Sequence, residues 1–218
     1  MKILLIGATG NIGQCILTEA LDKGYTVTAA QRNPAVLKVE DPNLKVIKGD
    51  LLDETALPAL LKEQDVIISA ISPLWSLSPG EFKQANKHLI AALHGRTDKR
   101  VIIVGGAGNT EITPGVKVMN DVVVMAQLPE EWKPAILIHG EVLELYKSSG
   151  LNWTYFSPAM QIEPGERTGK YRLGTTNMIF DGNGESKISR EDYAVALVDE
   201  IPNKTFLKQH ESRTWWWW

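Results

Sequence analysis

The chain has 218 residues, with 23 basic against 26 acidic side chains and a formal net charge of −3. That length supports one domain with a full core, and the near-neutral balance excludes the electrostatic footprint of a nucleic-acid binder. The longest apolar runs are strand-sized, which excludes a membrane-spanning helix, and a single cysteine, Cys15, excludes an intrachain disulfide.

Met1-Lys2 leads into the apolar run Ile3-Leu4-Leu5-Ile6, a strand rather than a secretory signal, so a reducing cytoplasm is the expected location. The strand opens into Gly7-Ala8-Thr9-Gly10-Asn11-Ile12-Gly13. A helix follows, with Ile12, Ile16 and Ala20 beside Leu17 and Leu21 on one face. It carries Cys15, which is expected to be buried rather than reactive. Such a strand, turn and helix aim unpaired N–H groups and the positive helix end at one point, where a diphosphate fits. Gly7 permits the sharp exit from the strand, Gly10 the close approach of a ligand, and Gly13 tight packing of helix on sheet.

Tyr25 to Ala30 reads as a second strand, ending at Gln31-Arg32-Asn33-Pro34. Leu44 to Lys48 is a third, closing at Gly49-Asp50-Leu51, and Asp65 to Ile71 a fourth. A helical pattern runs from Glu81 to Leu93, a fifth strand from Arg100 to Val104, and another helix from Pro134 to Ser149. Trp153 to Phe156 is a further strand, ahead of the turn Ser157-Pro158-Ala159. Apolar strands alternating with helices predict an α/β fold, a doubly wound parallel sheet of Rossmann type. Ligands then bind beyond the carboxyl ends of the strands, near the point where the strand order reverses. That rule gathers Gly7, Thr9, Gly10, Asn11, Ile12, Gly13, Arg32, Asp50, Leu51, Ser69, Ala70, Ile71, Gly105 and Gly106 around one crevice.

In the last third, Tyr171-Arg172-Leu173 and Lys187-Ile188 are short strands around a turn at Asp181-Gly182-Asn183-Gly184. Ser189 then caps a helix through a Ser189-x-x-Asp192 box, with Tyr193, Leu197 and Ile201 on its inner face. Residues 1–214 are expected to form a single domain, with 157–190 as a small cap over the substrate end. Trp215-Trp216-Trp217-Trp218 fits no periodic pattern and reads as lying outside the fold; the alternative is an aromatic anchor for a partner subunit or flat ligand.

Arg32 stands 19 residues past Gly13, where a dinucleotide fold selects its cofactor. An acid there would take the ribose 2′-hydroxyl, whereas an arginine favours a 2′-phosphate and stacks on adenine. No acid lies between Tyr25 and Asn33, so NADPH is expected over NADH; the alternative for Arg32 is a solvated surface residue. Asp50, with the Leu51 backbone, is placed to bound the adenine, or else caps the next helix.

The conventional proton relay of short-chain dehydrogenases, a Tyr-x-x-x-Lys pair with a serine, is not found. Tyr146 and Lys147 are adjacent, His139-x-x-x-Leu143 occupies the helix where the pair would sit, and Gly105-Gly106-Ala107-Gly108 follows the fifth strand. His139 is the candidate proton donor near neutral pH, against a helix histidine satisfied by a backbone carbonyl. Ser72, Trp75 and Phe82 are candidate pocket residues for an acceptor. Arg167, Lys170 and Arg172 are candidates for its phosphate, or else a solvated face. No metal site is expected.

The stretches Gly7–Gly13, Gln31-Arg32-Asn33-Pro34, Lys48-Gly49-Asp50, Val104–Gly108, Ser157-Pro158-Ala159, Pro164–Gly174 and Ser186–Ala194 carry a resemblance over nearly the whole chain. They resemble the atypical short-chain dehydrogenase/reductases of the NAD(P)H-flavin reductase and biliverdin reductase B type, within the NmrA-like NAD(P)-binding proteins. The resemblance implies hydride transfer from NADPH to a flat acceptor, free FMN or FAD, a tetrapyrrole or a quinone, with flavin a substrate and not a tightly held cofactor. A flavin can take its proton from solvent, which suits the missing relay. The resemblance also implies that Pro158 and its neighbours hold the nicotinamide carboxamide. Met160 stands where biliverdin reductase B has a histidine, which argues against a tetrapyrrole and puts Met160 in the candidate pocket. Two further readings stand: a non-catalytic NADP(H) sensor that signals to a protein partner, and an epimerase or isoflavone-type reductase. No nucleic-acid or membrane partner is expected, and monomer and homodimer both stay open.

Overall fold

Strands buried on both faces need near-continuous apolar runs, and Ile3–Ile6, Val66–Ile68 and Val101–Val104 are such runs. In the computed structural model, which describes residues 1–214, the elements in chain order are β1 (Lys2–Ile6), α1 (Asn11–Asp22), β2 (Thr26–Gln31), β3 (Leu44–Lys48), α2 (Leu57–Leu61), β4 (Val66–Ser69), α3 (Pro79–Ala92) and β5 (Arg100–Val104). Then come β6 (Glu111–Thr113), β7 (Val116–Lys117), α4 (Val122–Gln127), α5 (Lys133–Lys147), β8 (Asn152–Ser157), β9 (Gln161–Glu163), β10 (Arg172–Gly174), β11 (Lys187–Ser189), α6 (Arg190–Asn203) and β12 (Gln209–Thr214). The main sheet has the order β10-β12-β8-β5-β4-β1-β2-β3, and every neighbouring pair is parallel except β10 with β12. The doubly wound parallel sheet is therefore as expected, with the order reversing between β1 and β4.

Alternation along each strand divides the core into two layers. Ile3 and Leu5 of β1, with Val66 and Ile68 of β4, face α1 and α6. Leu4 and Ile6, with Ile67 of β4 and Val101 and Ile103 of β5, face α2, α3 and α5. Both faces are covered, so the parallel sheet is stable as a buried layer.

The segment over 157–190 departs from the expected cap. The strands β9 and β11 pair in a small parallel sheet, Ile162 opposite Ile188, beside the crevice. From there Pro164 to Tyr171 runs away along α1 and α6. Arg167 binds the buried carboxylate of Glu19 through Nε at 2.7 Å and Nη2 at 3.0 Å. The carboxylate of Asp192 accepts from Thr168 Oγ1 at 2.6 Å and from the Gly169 amide at 2.7 Å, and Tyr171 donates to Asp199 at 2.7 Å. Asp192 is thus spent on this strap, so only the first half of the expected capping box forms: Ser189 Oγ accepts from the Asp192 amide at 2.9 Å. The strap clamps two helices together, because a buried Glu19 and a buried Asp192 each need partners.

The strand β12, paired between β10 and β8, the β6–β7 hairpin and α4 were not expected from periodicity. No helix among the described residues is long and apolar enough to cross a membrane. The expectation for Trp215–Trp218 lies outside the described residues.

Candidate active site

Where the strand order reverses, the carboxyl ends of β1 and β4 open a cleft of about 670 Å³, a volume suited to a cofactor-sized ligand. Its floor is the turn between β1 and α1. Gly7 has φ +86°, and a Cβ there would lie 2.6 Å from the Ala70 carbonyl oxygen. The Gly10 amide donates to Gly7 O at 3.0 Å, and Gln14 Nε2 to Thr9 O at 3.0 Å, which locks the turn. No side chain caps α1, whose N-cap is Gly10, whereas Ser78 with Glu81 caps α3 and Ser189 caps α6. The first amides of α1, at Asn11, Ile12 and Gly13, are therefore left for a ligand. The uncapped turn fits a diphosphate.

Gly7, Thr9, Gly10, Asn11, Ile12, Ala70 and Ile71 line the cleft. Gly13 does not: a Cβ there would sit 2.0 Å from Gly7 O, so its bare backbone serves the packing of strand on helix. Ser69 is fully buried at the end of β4.

On the β2 side the cleft is lined by Gln31, Arg32, Asn33, Val36, Asp50 and Leu51. Arg32 is exposed, forms no ion pair among the described residues, and makes a long contact to Ser76 O at 3.4 Å. Asp50 Oδ1 accepts from the Leu52 amide at 3.0 Å, a local turn four residues short of the next helix cap at Ala56. Thr9 Oγ1 reaches Gln31 Oε1 at 3.1 Å and ties this side to the floor.

The far side is formed by Val104, Gly105, His139, Ile162 and Arg190. His139 projects from α5. Its Nδ1 lies 2.6 Å from Tyr155 Oη, and the edge of Phe82 packs on its ring at 4.9 Å. Burial lowers the His139 pKa to about 4, so at neutral pH the ring is a neutral imidazole and not the ready proton donor expected. Gly105 and Gly106 act through what they leave out. A Cβ on Gly105 would meet the Tyr155 ring at 2.5 Å, and one on Gly106 would meet His139 at 2.9 Å. Gly105 lines the cleft, while Gly106 packs against the imidazole.

The expected acceptor pocket needs correction. Trp75 sits 77% exposed on the rim, on the loop whose Ser76 carbonyl approaches Arg32, so it belongs to the Arg32 side. Ser72 also lines the cleft but spends its polar groups on this loop: its amide donates to Ser76 Oγ at 2.9 Å and its hydroxyl accepts from the Leu74 amide at 3.2 Å. Phe82 has no exposed surface and lies behind His139. Met160 and Pro158 are outside the cleft lining; the Met160 amide donates to Ser186 Oγ at 3.3 Å, and Pro158 is buried. Arg167 is occupied by Glu19, Arg172 donates to Phe180 O at 2.7 Å, and Lys170 lies on the exposed strap, so none of the three lines the cleft. Ile162 and Arg190 take their place. Periodicity places Ser189 as a helix cap but carries no sign that the next side chain borders a crevice formed by β1 and α1. Cys15 is half-buried, and burial raises its pKa.

The fold, the reversal point and the glycine turn define a dinucleotide-binding protein, and comparison with known proteins agrees. The chain belongs to the NAD(P)H-binding family, whose model matches residues 7–204, and its architecture is that of an atypical short-chain dehydrogenase/reductase. The family is one of oxidoreductase type. The uncharacterized protein YwnB of Bacillus subtilis is 34% identical over 208 residues, 92% of each chain. A provisionally named NADH-flavin reductase from Streptococcus pneumoniae superposes with TM-score 0.86 at 30% identity, covering 99% of this chain and 100% of that one. A provisionally named epimerase from Bacteroides thetaiotaomicron superposes with TM-score 0.89 at 36% identity, covering 100% and 98%.

Proposed function

We propose that this protein is an NADPH-dependent reductase that passes hydride to a flat acceptor, free FMN, FAD or a quinone, bound as a substrate and released after turnover. The observation that carries this reading is the division of one cleft into two chemically different sides. One side offers uncapped helix amides and Arg32, a cation without an ion pair among the described residues; the other offers the apolar Val104, Gly105 and Ile162 with a neutral imidazole and the cation Arg190 at its border. The solved relative named as an NADH-flavin reductase supports the same chemistry.

NADPH, when bound, supplies the hydride. The chain does the rest. The amides at the start of α1 hold the diphosphate, Arg32 takes the 2′-phosphate, and Asp50 bounds the adenosine. Val104, Gly105 and Ile162 give the acceptor a flat apolar wall, so that position alone brings it to the reacting carbon. Arg190 lines the cleft, forms no ion pair among the described residues and would meet the phosphate of an acceptor such as FMN. No tyrosine or lysine lines the cleft among the described residues, so the proton comes from water.

Steady-state oxidation of NADPH with FMN, FAD and a benzoquinone checks the proposal, with turnover expected for at least one acceptor. If NADPH and NADP⁺ bind with very different affinities and no acceptor is reduced, the protein is an NADP(H) sensor instead.

A further inference from the structure

His139, part-buried at the cleft, and the buried Tyr155 form a hydrogen-bonded pair whose proton can be placed. Tyr155 Oη carries one proton and, among the described residues, lies within hydrogen-bond distance of His139 Nδ1 at 2.6 Å and the His139 carbonyl oxygen at 3.1 Å. That carbonyl lies inside α5, where it accepts the helix amide four residues on. It also accepts from Asn109 Nδ2 at 3.1 Å. Both of its lone pairs are thus in use. The hydroxyl proton therefore goes to Nδ1, the shorter contact, and the imidazole's own proton stays on Nε2. Among the described residues Nε2 has no hydrogen-bond partner, and the ring it belongs to lines the cleft. Gly105, Gly106 and Phe82 hold both rings by contact, so the arrangement is fixed before any ligand arrives.

We propose that His139 meets the acceptor as a neutral Nε2–H hydrogen-bond donor, with Tyr155 as the positioning residue that sets its tautomer, and that the acceptor offers a lone pair there, on a carbonyl oxygen or ring nitrogen. The inference rests on the reductase reading above. With NADPH bound, its hydride would reduce the acceptor and water would give the proton, so that His139 ends as it began. Its N–H stabilises the negative charge that develops on the acceptor as hydride arrives, an oxyanion-hole role. Tyr155 is the titratable side chain hydrogen-bonded to the ring, and its own pKa is raised by burial, so neither partner changes charge near neutrality.

The test begins on ligand-free protein. Long-range ¹⁵N–¹H correlation of the four histidines, with His139→Phe to assign the signal, is expected to place the proton on Nε2 throughout the neutral range. Tyr155→Phe is expected to give a mixture of tautomers and a lower kcat with an unchanged Kd for NADPH. His139→Phe is expected to lower kcat by about 10²-fold, and His139→Gln, which keeps an N–H, to recover part of that loss. A wild-type proton on Nδ1, or full kcat in His139→Phe, overturns the proposal, and the wild-type spectrum decides the first point even if Tyr155→Phe does not fold. Absence of turnover with every acceptor would instead overturn the reductase reading.

Discussion

The Arg32 side and the His139 side of the cleft are built by different physics. The first and its floor come largely from backbone: a glycine turn, helix amides and strand ends that follow one another between Ile6 and Leu51. The second comes from side chains that meet only in the folded state, with His139 from α5, Ile162 from β9 and Arg190 at the start of α6. A backbone site tolerates many side chains but few bulky replacements at its glycines. A site assembled from side chains depends on the packing behind it, here Tyr155, Phe82 and the bare Gly105 and Gly106.

The largest effect is expected at the floor. Gly13→Ala puts a Cβ 2.0 Å from Gly7 O and should cost about 3 kcal/mol of stability by overpacking. Urea unfolding and calorimetric NADPH titration should show both stability and binding falling. Arg32→Asp should leave the fold intact and weaken NADPH by about 2–3 kcal/mol, the worth of charged hydrogen bonds to a phosphate. Equal losses for NADPH and NADH in paired titrations would remove Arg32 from the 2′-phosphate.

Arg167→Ala separates strap from site. It leaves the buried Glu19 carboxylate short of its main partner, with Lys23 at 3.8 Å as the remaining cation. A loss of about 1–3 kcal/mol in unfolding free energy is expected, with kcat/KM unchanged; a raised KM for FMN would return Arg167 to the acceptor site.

On the His139 side the expected effect is a pH dependence, spread over the interval between the ordinary and the lowered pKa. The folded-state pKa of His139 is lowered to about 4, below its ordinary 6.5, so folding favours the neutral ring. Its contribution to stability is present above about 6.5 and is lost as pH falls towards 4, at about 1.4 kcal/mol per pH unit. His139→Phe should flatten that part of the unfolding profile, and an unchanged slope would mean the ring is not held neutral.

The same contrast explains what could be read from the chain. The parallel sheet, the strands Leu44–Lys48 and Arg100–Val104, and the glycine turn were legible because each is a local pattern. Arg32 followed from its spacing to Gly13. On the His139 side only Gly105 and His139 itself were legible. Phe82 fits a pocket by sequence order and is buried by helix rotation, while Trp75 lies on a loop that bends towards Arg32. Arg167 looks like a free cation until the fold brings Glu19 beneath it. Nothing local marks Arg190.

The most direct measurement is anaerobic stopped-flow mixing of the NADPH-loaded protein with FMN, followed at the absorbance bands of both. Loss of the NADPH band in step with bleaching of the flavin is the result the account predicts. Tightly bound NADPH that stays unoxidised in the presence of FMN, FAD and a quinone would contradict it.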